Sequence, residues 1–155
     1  MGGVAISEGF WTLARTAWFL RRRAALRKGA ASKALPALLF FTDPQRTPDM
    51  EAIAERLPRG AAVVFRPFGA ADAEVRGARL LGICRRRGLK LLVGADAGLA
   101  ARLGAHGVHL PERLAHRARR LKAQHPRWIV TAAAHSTRAA RDALAAGADA
   151  AVVSV

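Results

Sequence analysis

The chain has 155 residues, of which 52% are hydrophobic and 24% charged, and this balance predicts one globular domain with a buried core and excludes a disordered chain. Its single cysteine, Cys84, excludes a disulfide framework and is expected to be a buried, inert thiol. No run reaches the roughly 18 consecutive apolar residues of a membrane-spanning helix, so we expect a cytoplasmic protein without a membrane span.

The formal net charge of +15 would suit a nucleic-acid-binding protein. Two features speak against that function. The arginines are spread along the predicted helices instead of forming one stripe, and the chain contains no tyrosine, so stacking platforms for single-stranded nucleic acid are not evident. We therefore expect no nucleic-acid partner and keep that function as an alternative only.

Residues 9–28 form the first predicted element, an amphipathic and basic helix with Phe10, Trp11 and Trp18 on one side. A membrane-surface helix and a targeting peptide share this pattern. We favour a helix that closes the floor of a barrel, because aromatic residues at helical spacing are more often core than lipid contacts. Residues 1–33 are thus interpreted as an N-terminal helix and linker, and residues 34–155 as the main domain.

From residue 37 onward, short apolar runs alternate with helical segments. Gly104 and Gly147 lie where a residue with positive φ would end a helix, a conformation that glycine adopts without a Cβ penalty. Thr47 and Pro48 are predicted to open the first helix of this region as its N-cap and first turn. The predicted strands are 37–42, 61–66, 89–94, 107–110, 128–132 and 150–155. The predicted helices are 47–58, 70–87, 97–103, 111–125 and 137–146.

Six strands that alternate with helices describe most of an eight-stranded (β/α) barrel of the TIM-barrel type. Such barrels typically need about 250 residues, and the sequence stops inside the sixth strand. We therefore predict an α/β fold in the form of an incomplete barrel, with about six βα units and an extra N-terminal helix. A six-stranded, doubly wound open sheet is the alternative at this length.

In a barrel of this type, chemistry gathers at the carboxyl ends of the strands. Arg66 follows the second strand, where a forked cation suits a phosphate. His135 follows three alanines at the end of the fifth strand, and it is a candidate proton carrier because histidine titrates near neutrality. His109 is predicted to face the barrel interior, as a satisfied interior group or a substrate contact. We expect Arg66, Asp96 and His135 to surround one cavity.

Three segments resemble the thiamine phosphate synthase and thiazole tautomerase superfamily. Residues 103–110, Leu-Gly-Ala-His-Gly-Val-His-Leu, are similar to its Leu-Gly-Ala-Asp-Gly-Val-His-Leu signature, and residues 40–43 resemble its first strand, which ends in Thr-Asp. Ala-His-Ser at 134–136, followed by Ala-Gly-Ala-Asp at 146–149, resembles its pattern of Ser-x-His-Thr/Ser followed by Gly-Ala-Asp. The resemblance extends from about Leu38 to Val155.

The resemblance implies a role in thiamine biosynthesis on a phosphorylated thiazole. The synthase joins aminopyrimidine diphosphate to thiazole phosphate with magnesium, but its Asn-Asp metal pair falls on Gly94 and Ala95 here, and its second aspartate falls on Leu114. The tautomerase branch needs an acid/base and a phosphate cradle without a metal. We therefore favour tautomerase-like chemistry, with His135 as the catalytic residue and with substrate or phosphate contacts from Arg66, Ser136 and His109.

Two alternatives stay open. Synthase activity would require a rebuilt magnesium site, for which Asp43, Asp96 and Glu112 are the candidate ligands, and magnesium is expected only in that case. The second alternative is a non-catalytic protein that binds a small ligand or nucleic acid. The family's last phosphate-binding strands would lie after Val155, so we expect that a chain of this length could be inactive. The oligomeric state is open, with a homo-oligomer among the options.

Overall fold

The structure is a computed structural model that describes residues 35–154 together with Arg15 and Thr16, which are helical and exposed. The rest of the predicted helix over 9–28, and the predicted domain boundary after residue 33, lie outside the described residues. No helix in the described ranges is long and apolar enough to cross a lipid bilayer.

Six parallel strands form one sheet in which each strand pairs with the next one along the chain. They are β1 (Leu39–Phe41), β2 (Ala62–Phe65), β3 (Lys90–Gly94), β4 (Gly107–Leu110), β5 (Ile129–Ala134) and β6 (Ala150–Val153). A doubly wound sheet would reverse its strand order at a switch point. The sheet instead curls in sequence order into a half-barrel, which confirms the incomplete (β/α) barrel and rules out the open-sheet alternative.

Helices connect successive strands at each predicted place. They are α1 (Met50–Arg56), α2 (Ala73–Arg87), α3 (Ala97–Leu103), a 3-10 helix (Glu112–Arg117) that continues into α4 (Ala118–Gln124), and α5 (Thr137–Ala145). The helix α2 ends at Gly88 and α3 at Gly104, both with φ of 67°. These residues are left-handed, as predicted for Gly104.

The start of α1 differs from the prediction that Thr47 caps it. Asp49 is the N-cap, because its carboxylate accepts a hydrogen bond from the Ala52 N–H at 3.2 Å. The Thr47 hydroxyl instead accepts a hydrogen bond from the Asp43 N–H at 2.7 Å and donates one to the Asp43 carbonyl at 2.8 Å. Thr47 therefore closes the turn that follows β1, and the helix begins two residues after Pro48.

The strands separate two layers of apolar side chains. The larger layer packs alternate strand residues, among them Val63, Leu91 and Val130, against the helices. Cys84 lies in this layer, which confirms the predicted burial, and burial raises the pKa of its thiol to about 12, which disfavours the reactive thiolate. The smaller layer lies on the concave side of the sheet and consists of Ala62, Val64, Leu92 and Ile129.

Gly107 allows β4 and β5 to approach closely. A Cβ atom at this position would lie 1.8 Å from the Ile129 carbonyl oxygen, so no residue larger than glycine fits without moving a strand. The sixth strand is held by Asp149, which forms an ion pair with Lys122 and accepts a hydrogen bond from the Val130 N–H at 2.9 Å. These contacts lie at the amino ends of β4, β5 and β6, opposite the carboxyl ends from which the site is built.

Candidate functional site

A cavity of about 680 Å³ opens at the carboxyl ends of the strands, on the concave side of the half-barrel. Its walls come from Phe41 at the end of β1, the loop 66–69 after β2 and the turn 94–98 after β3. His109 and Pro111 from the end of β4, Arg117 from the 3-10 helix and Ala133 from β5 complete the lining. The strand-end location agrees with the position expected for a barrel site.

Arg66 lies in the cavity wall and is held by the end of β1. Its Nε donates to the Thr42 carbonyl at 2.8 Å, and its Nη2 lies 3.4 Å from an Asp43 carboxylate oxygen. The backbone N–H groups of Gln45 and Arg46 are the main cause of a lowered Asp43 pKa, and the Arg66 charge lowers it further. The Asp43 carboxylate therefore offsets part of the charge of Arg66 at neutral pH.

His109 faces the cavity, as predicted, and is buried with 8% of its surface exposed. Its Nδ1 lies 2.9 Å from the Thr131 hydroxyl, and the edge of its ring meets the Phe41 ring at a centroid distance of 5.0 Å. Burial, helped by the Arg66 charge, lowers the pKa of His109 to about 4. A neutral imidazole at this position offers a hydrogen bond to a ligand but no positive charge.

His135 does not line this cavity, so the expectation that Arg66, Asp96 and His135 surround one cavity holds for the first two only. Its imidazole Nδ1 lies 2.8 Å from Glu112 Oε2, and its backbone N–H donates to the same oxygen at 2.7 Å. The two contacts with His135 lower the pKa of Glu112. Glu112 thus orients the ring outside the cavity lining, and the His135 side chain is 66% exposed.

Ser136 and Asp96 both act as helix N-caps. The Ser136 hydroxyl accepts a hydrogen bond from the Ala139 N–H at 3.0 Å, and the Asp96 carboxylate accepts one from the Leu99 N–H at 2.8 Å. A strand that runs directly into a helix leaves such N–H groups without intrahelical partners, which explains a capping residue at these strand ends. Asp96 also lies in the cavity wall.

The three candidate magnesium ligands do not form a cluster. Asp43 contacts Arg66, Asp96 caps α3 and Glu112 contacts His135. Residues 35–154 contain no group of three His, Cys, Asp or Glu side chains that could hold a metal ion. Magnesium needs several oxygen ligands in octahedral geometry, so these residues do not fit a magnesium site and we derive no step through one.

The strand-end argument missed Arg117. This residue lies at the end of the 3-10 helix, several residues after β4, and its exposed side chain lines the cavity. Within the described part of the chain it makes no ion pair, in contrast to Arg66. No signal in the sequence separated Arg117 from the other arginines, because its approach to the cavity depends on the path of the 3-10 turn.

Two residues other than glycine have a positive φ in the described part of the chain, and both line the cavity. Phe68 has a φ of 50° and Ala95 a φ of 62°. Ala95 is the centre of a three-residue turn, closed by a hydrogen bond of 2.8 Å from the Asp96 N–H to the Gly94 carbonyl. Backbone strain of this kind concentrates at functional sites.

Comparison with known proteins finds one matching protein family and solved structures with a similar fold. A family model described as thiamine monophosphate synthase matches residues 38–155. A thiamine phosphate pyrophosphorylase from Pyrococcus furiosus is 24% identical with a TM-score of 0.65, over 76% of this chain and 59% of that protein. The orotidine 5'-monophosphate decarboxylase from Sulfolobus solfataricus is 14% identical with a TM-score of 0.52, over 67% and 57% of the two chains.

These two structures share the fold with this chain, which spans less than two thirds of the length of each. No curated protein matches the chain.

Proposed function

Because the chain belongs to the thiamine monophosphate synthase family, we propose that it acts in thiamine biosynthesis on a phosphorylated thiazole, and that it moves a proton on the thiazole ring in a tautomerase-type reaction. The cavity would bind the ligand, and His135 with Glu112 would carry the proton. A buried thiol as the chain's only cysteine is in keeping with a reducing cytoplasm, where we place the reaction.

Size and charge support a small phosphorylated ligand. A volume of about 680 Å³ falls within the roughly 300–1,000 Å³ that small-molecule sites occupy. Arg66 and Arg117 both line the cavity, and planar guanidinium groups suit phosphate oxygens. Arg117 would carry the larger share of the phosphate interaction, since Asp43 offsets part of the charge of Arg66.

The contact between Glu112 and His135 is the observation that carries the proposed chemistry. A carboxylate 2.8 Å from Nδ1 favours the tautomer that bears its proton there, and Nε2 is then the atom that accepts a proton. The reaction would take one proton from a ring atom of the thiazole onto Nε2 and return one to another ring atom. Ala133 lines the cavity and lies two residues before His135, so the proposed reaction requires a ligand that extends from the cavity along the end of β5 to the imidazole.

The misfit of the candidate magnesium ligands is the reason to prefer this reaction over the synthase reaction. Diphosphate release with magnesium needs carboxylates that face one another. Asp43, Asp96 and Glu112 each have a separate partner. Proton transfer within a ring needs no cation of this kind.

Deuterium exchange tests the proposal. The full chain is incubated with a thiazole phosphate in deuterated water, and NMR follows deuterium uptake at the ring carbons. We expect uptake above the solvent background, and a loss of about 100-fold or more in His135→Ala, because general acid–base catalysis contributes factors of that size. His116→Ala removes an exposed histidine that does not line the cavity and is the matched control.

Equal exchange rates in the unsubstituted chain and His135→Ala would remove His135 from the mechanism. Magnesium-dependent release of diphosphate from an aminopyrimidine diphosphate would favour the synthase reaction in its place. Binding of the thiazole phosphate should weaken by about tenfold in Arg117→Met if this cation contacts the phosphate. Unchanged affinity in that variant would exclude Arg117 from the phosphate site.

A further inference from the structure

We propose that Phe68 and Arg66 form a stacking platform at the cavity mouth, and that this platform selects ligands whose phosphate is attached to a planar, unsaturated ring. The proposal rests on the proposed function for the location of the ligand. It concerns the class of ring that binds, whichever reaction follows.

The exposure of Phe68 is the first observation. Its surface is 67% exposed, the highest value among the large exposed hydrophobic side chains of the described residues, although it lines the cavity. The other three lie on α2, α5 and β6 and do not line the cavity: Val75, Leu144 and Val153. An aromatic ring beside a cavity with most of its surface in water has apolar area left for a ligand to cover.

Phe68 occupies this position in a strained backbone conformation. Its φ of 50° is unfavourable for a bulky residue, and the adjacent Gly69, with a φ of 76°, shows that the turn requires left-handed conformations. A glycine at position 68 would fold into the same turn without strain. The turn therefore carries an aromatic side chain at a position where the backbone conformation favours glycine.

Arg66 orders the platform. Its guanidinium carbon lies 5.2 Å from the centre of the Phe68 ring and 5.8 Å from the centre of the Phe41 ring, within cation–π distance of both. The turn 94–98 after the neighbouring strand β3 also lines the cavity, and Gly94 lets Arg66 pack closely, since a Cβ atom there would lie 3.0 Å from Arg66 Cγ. A ring could then lie against Phe68 while its phosphate meets the two cavity arginines.

Two phosphate esters of equal charge and similar size test the inference. Phenyl phosphate carries a planar ring and cyclohexyl phosphate a saturated one, and calorimetry gives the affinity of the full chain for each. We expect phenyl phosphate to bind about tenfold more tightly, since stacking on one aromatic side chain contributes a factor of that order. Phe68→Leu should abolish this preference, and Phe68→Trp should retain it.

Equal affinities for the two esters, or an unchanged preference in Phe68→Leu, would overturn the inference. Val75→Ala is the matched control, because it removes an exposed apolar side chain that does not line the cavity. Phe68→Gly adds a second readout: its melting temperature should rise, since strain is relieved, while the preference is lost. A lower melting temperature in this variant would contradict the strain argument and show that Phe68 supports the fold.

The two proposals fail in different ways. A preference for phenyl phosphate that depends on Phe68, without deuterium exchange on the thiazole phosphate, would sustain the platform and exclude the proposed reaction. Exchange that depends on His135, without a preference between the esters, would sustain the reaction and exclude the platform.

Discussion

At the scale of single residues, the environment of each histidine decides what it can do. His109 and His135 both follow the motif pattern at strand ends, yet one is buried beside Thr131 and the other is exposed beside Glu112. Burial lowers the pKa of His109 from 6.5 to about 4, so the folded protein keeps this ring neutral where the unfolded chain would protonate it.

This difference predicts a loss of stability in acid. The unfolded chain takes up a proton at His109 below pH 6.5, whereas the folded protein does so only near pH 4. His109 therefore contributes to the free energy of unfolding above pH 6.5, and this contribution is lost as the pH falls towards 4. Between roughly pH 7 and pH 5 the free energy of unfolding should fall by about 2 kcal/mol.

Urea denaturation at the two pH values measures this effect. Over the same pH interval, the free energy of unfolding of His109→Gln should decrease by about 2 kcal/mol less than that of the unsubstituted chain. His116→Gln, at an exposed histidine, is the control and should follow the unsubstituted chain. An equal acid loss in His109→Gln would mean that other groups cause it.

For single residues, the sequence predicted some positions in the site correctly and others wrongly. The position of Arg66 in the cavity follows from its place at the end of β2, and that of His109 follows from strand alternation; the sequence reveals both. The separation of His135 from the cavity does not, because it depends on a hydrogen bond to Glu112 from another strand end. Arg117 and the strained turn at Phe68 depend in the same way on loop paths that carry no periodic signal.

At the scale of elements, glycines set the distances between neighbours. Gly107 lies at the start of β4 with the Ile129 carbonyl so close that a Cβ atom would overlap it. Gly77 lets Leu103 of α3 approach α2. Gly82, in the middle of α2, has no such neighbour, and the nearest atom to a Cβ there would be an Arg86 guanidinium nitrogen at 3.8 Å.

The same substitution should therefore have opposite effects at two glycines. Gly107→Ala should lower the free energy of unfolding by about 3 kcal/mol or more, because a strand must move to admit the methyl group. Gly82→Ala should raise it by up to about 1 kcal/mol, because alanine favours the helix. Thermal or urea denaturation of both variants checks the pair, and a neutral Gly107→Ala would contradict the close approach.

Elements are predictable from the sequence where a local signal fixes them. The bounds of α3 and β4 match the prediction at both ends, since Asp96 and Gly104 mark the helix and Gly107 begins a short buried run. The predicted start of α1 was wrong. Thr47 and Asp49 are both good capping residues, but the Thr47 hydroxyl is hydrogen-bonded in the turn after β1 and Asp49 caps the helix. Competition between two adequate caps is settled by contacts that lie outside the helix.

At the scale of the whole molecule, burial decreases from the middle strands of the sheet to its two outer strands. The middle strands β2, β3 and β4 are largely buried, whereas β1 and β6 are half-buried or exposed along their length. Each of these outer strands has one strand partner within residues 35–154. The alternation of strands and helices made this order predictable, since a barrel connects neighbouring strands.

Hydrogen exchange should reflect this gradient. Amides of β3 and β4 should exchange at least about tenfold more slowly than those of β1 and β6, because local opening begins where contacts are fewest. Asp149→Asn should speed exchange in β6 and leave β1 unchanged, since it removes the ion pair with Lys122. Asp142→Asn, which disrupts an exposed pair with Arg138, is the control. Uniform protection across the six strands would contradict the gradient.

The sequential sheet order also bears on how the chain folds during synthesis. Every strand from β2 to β6 pairs with one that precedes it in the chain, so its docking site already exists when it leaves the ribosome. Each addition closes a short loop of one helix, which keeps the entropy loss of each step small. The nascent protein can thus grow along a single edge, and a translational pause after any helix would leave a partial sheet whose existing pairs are already native.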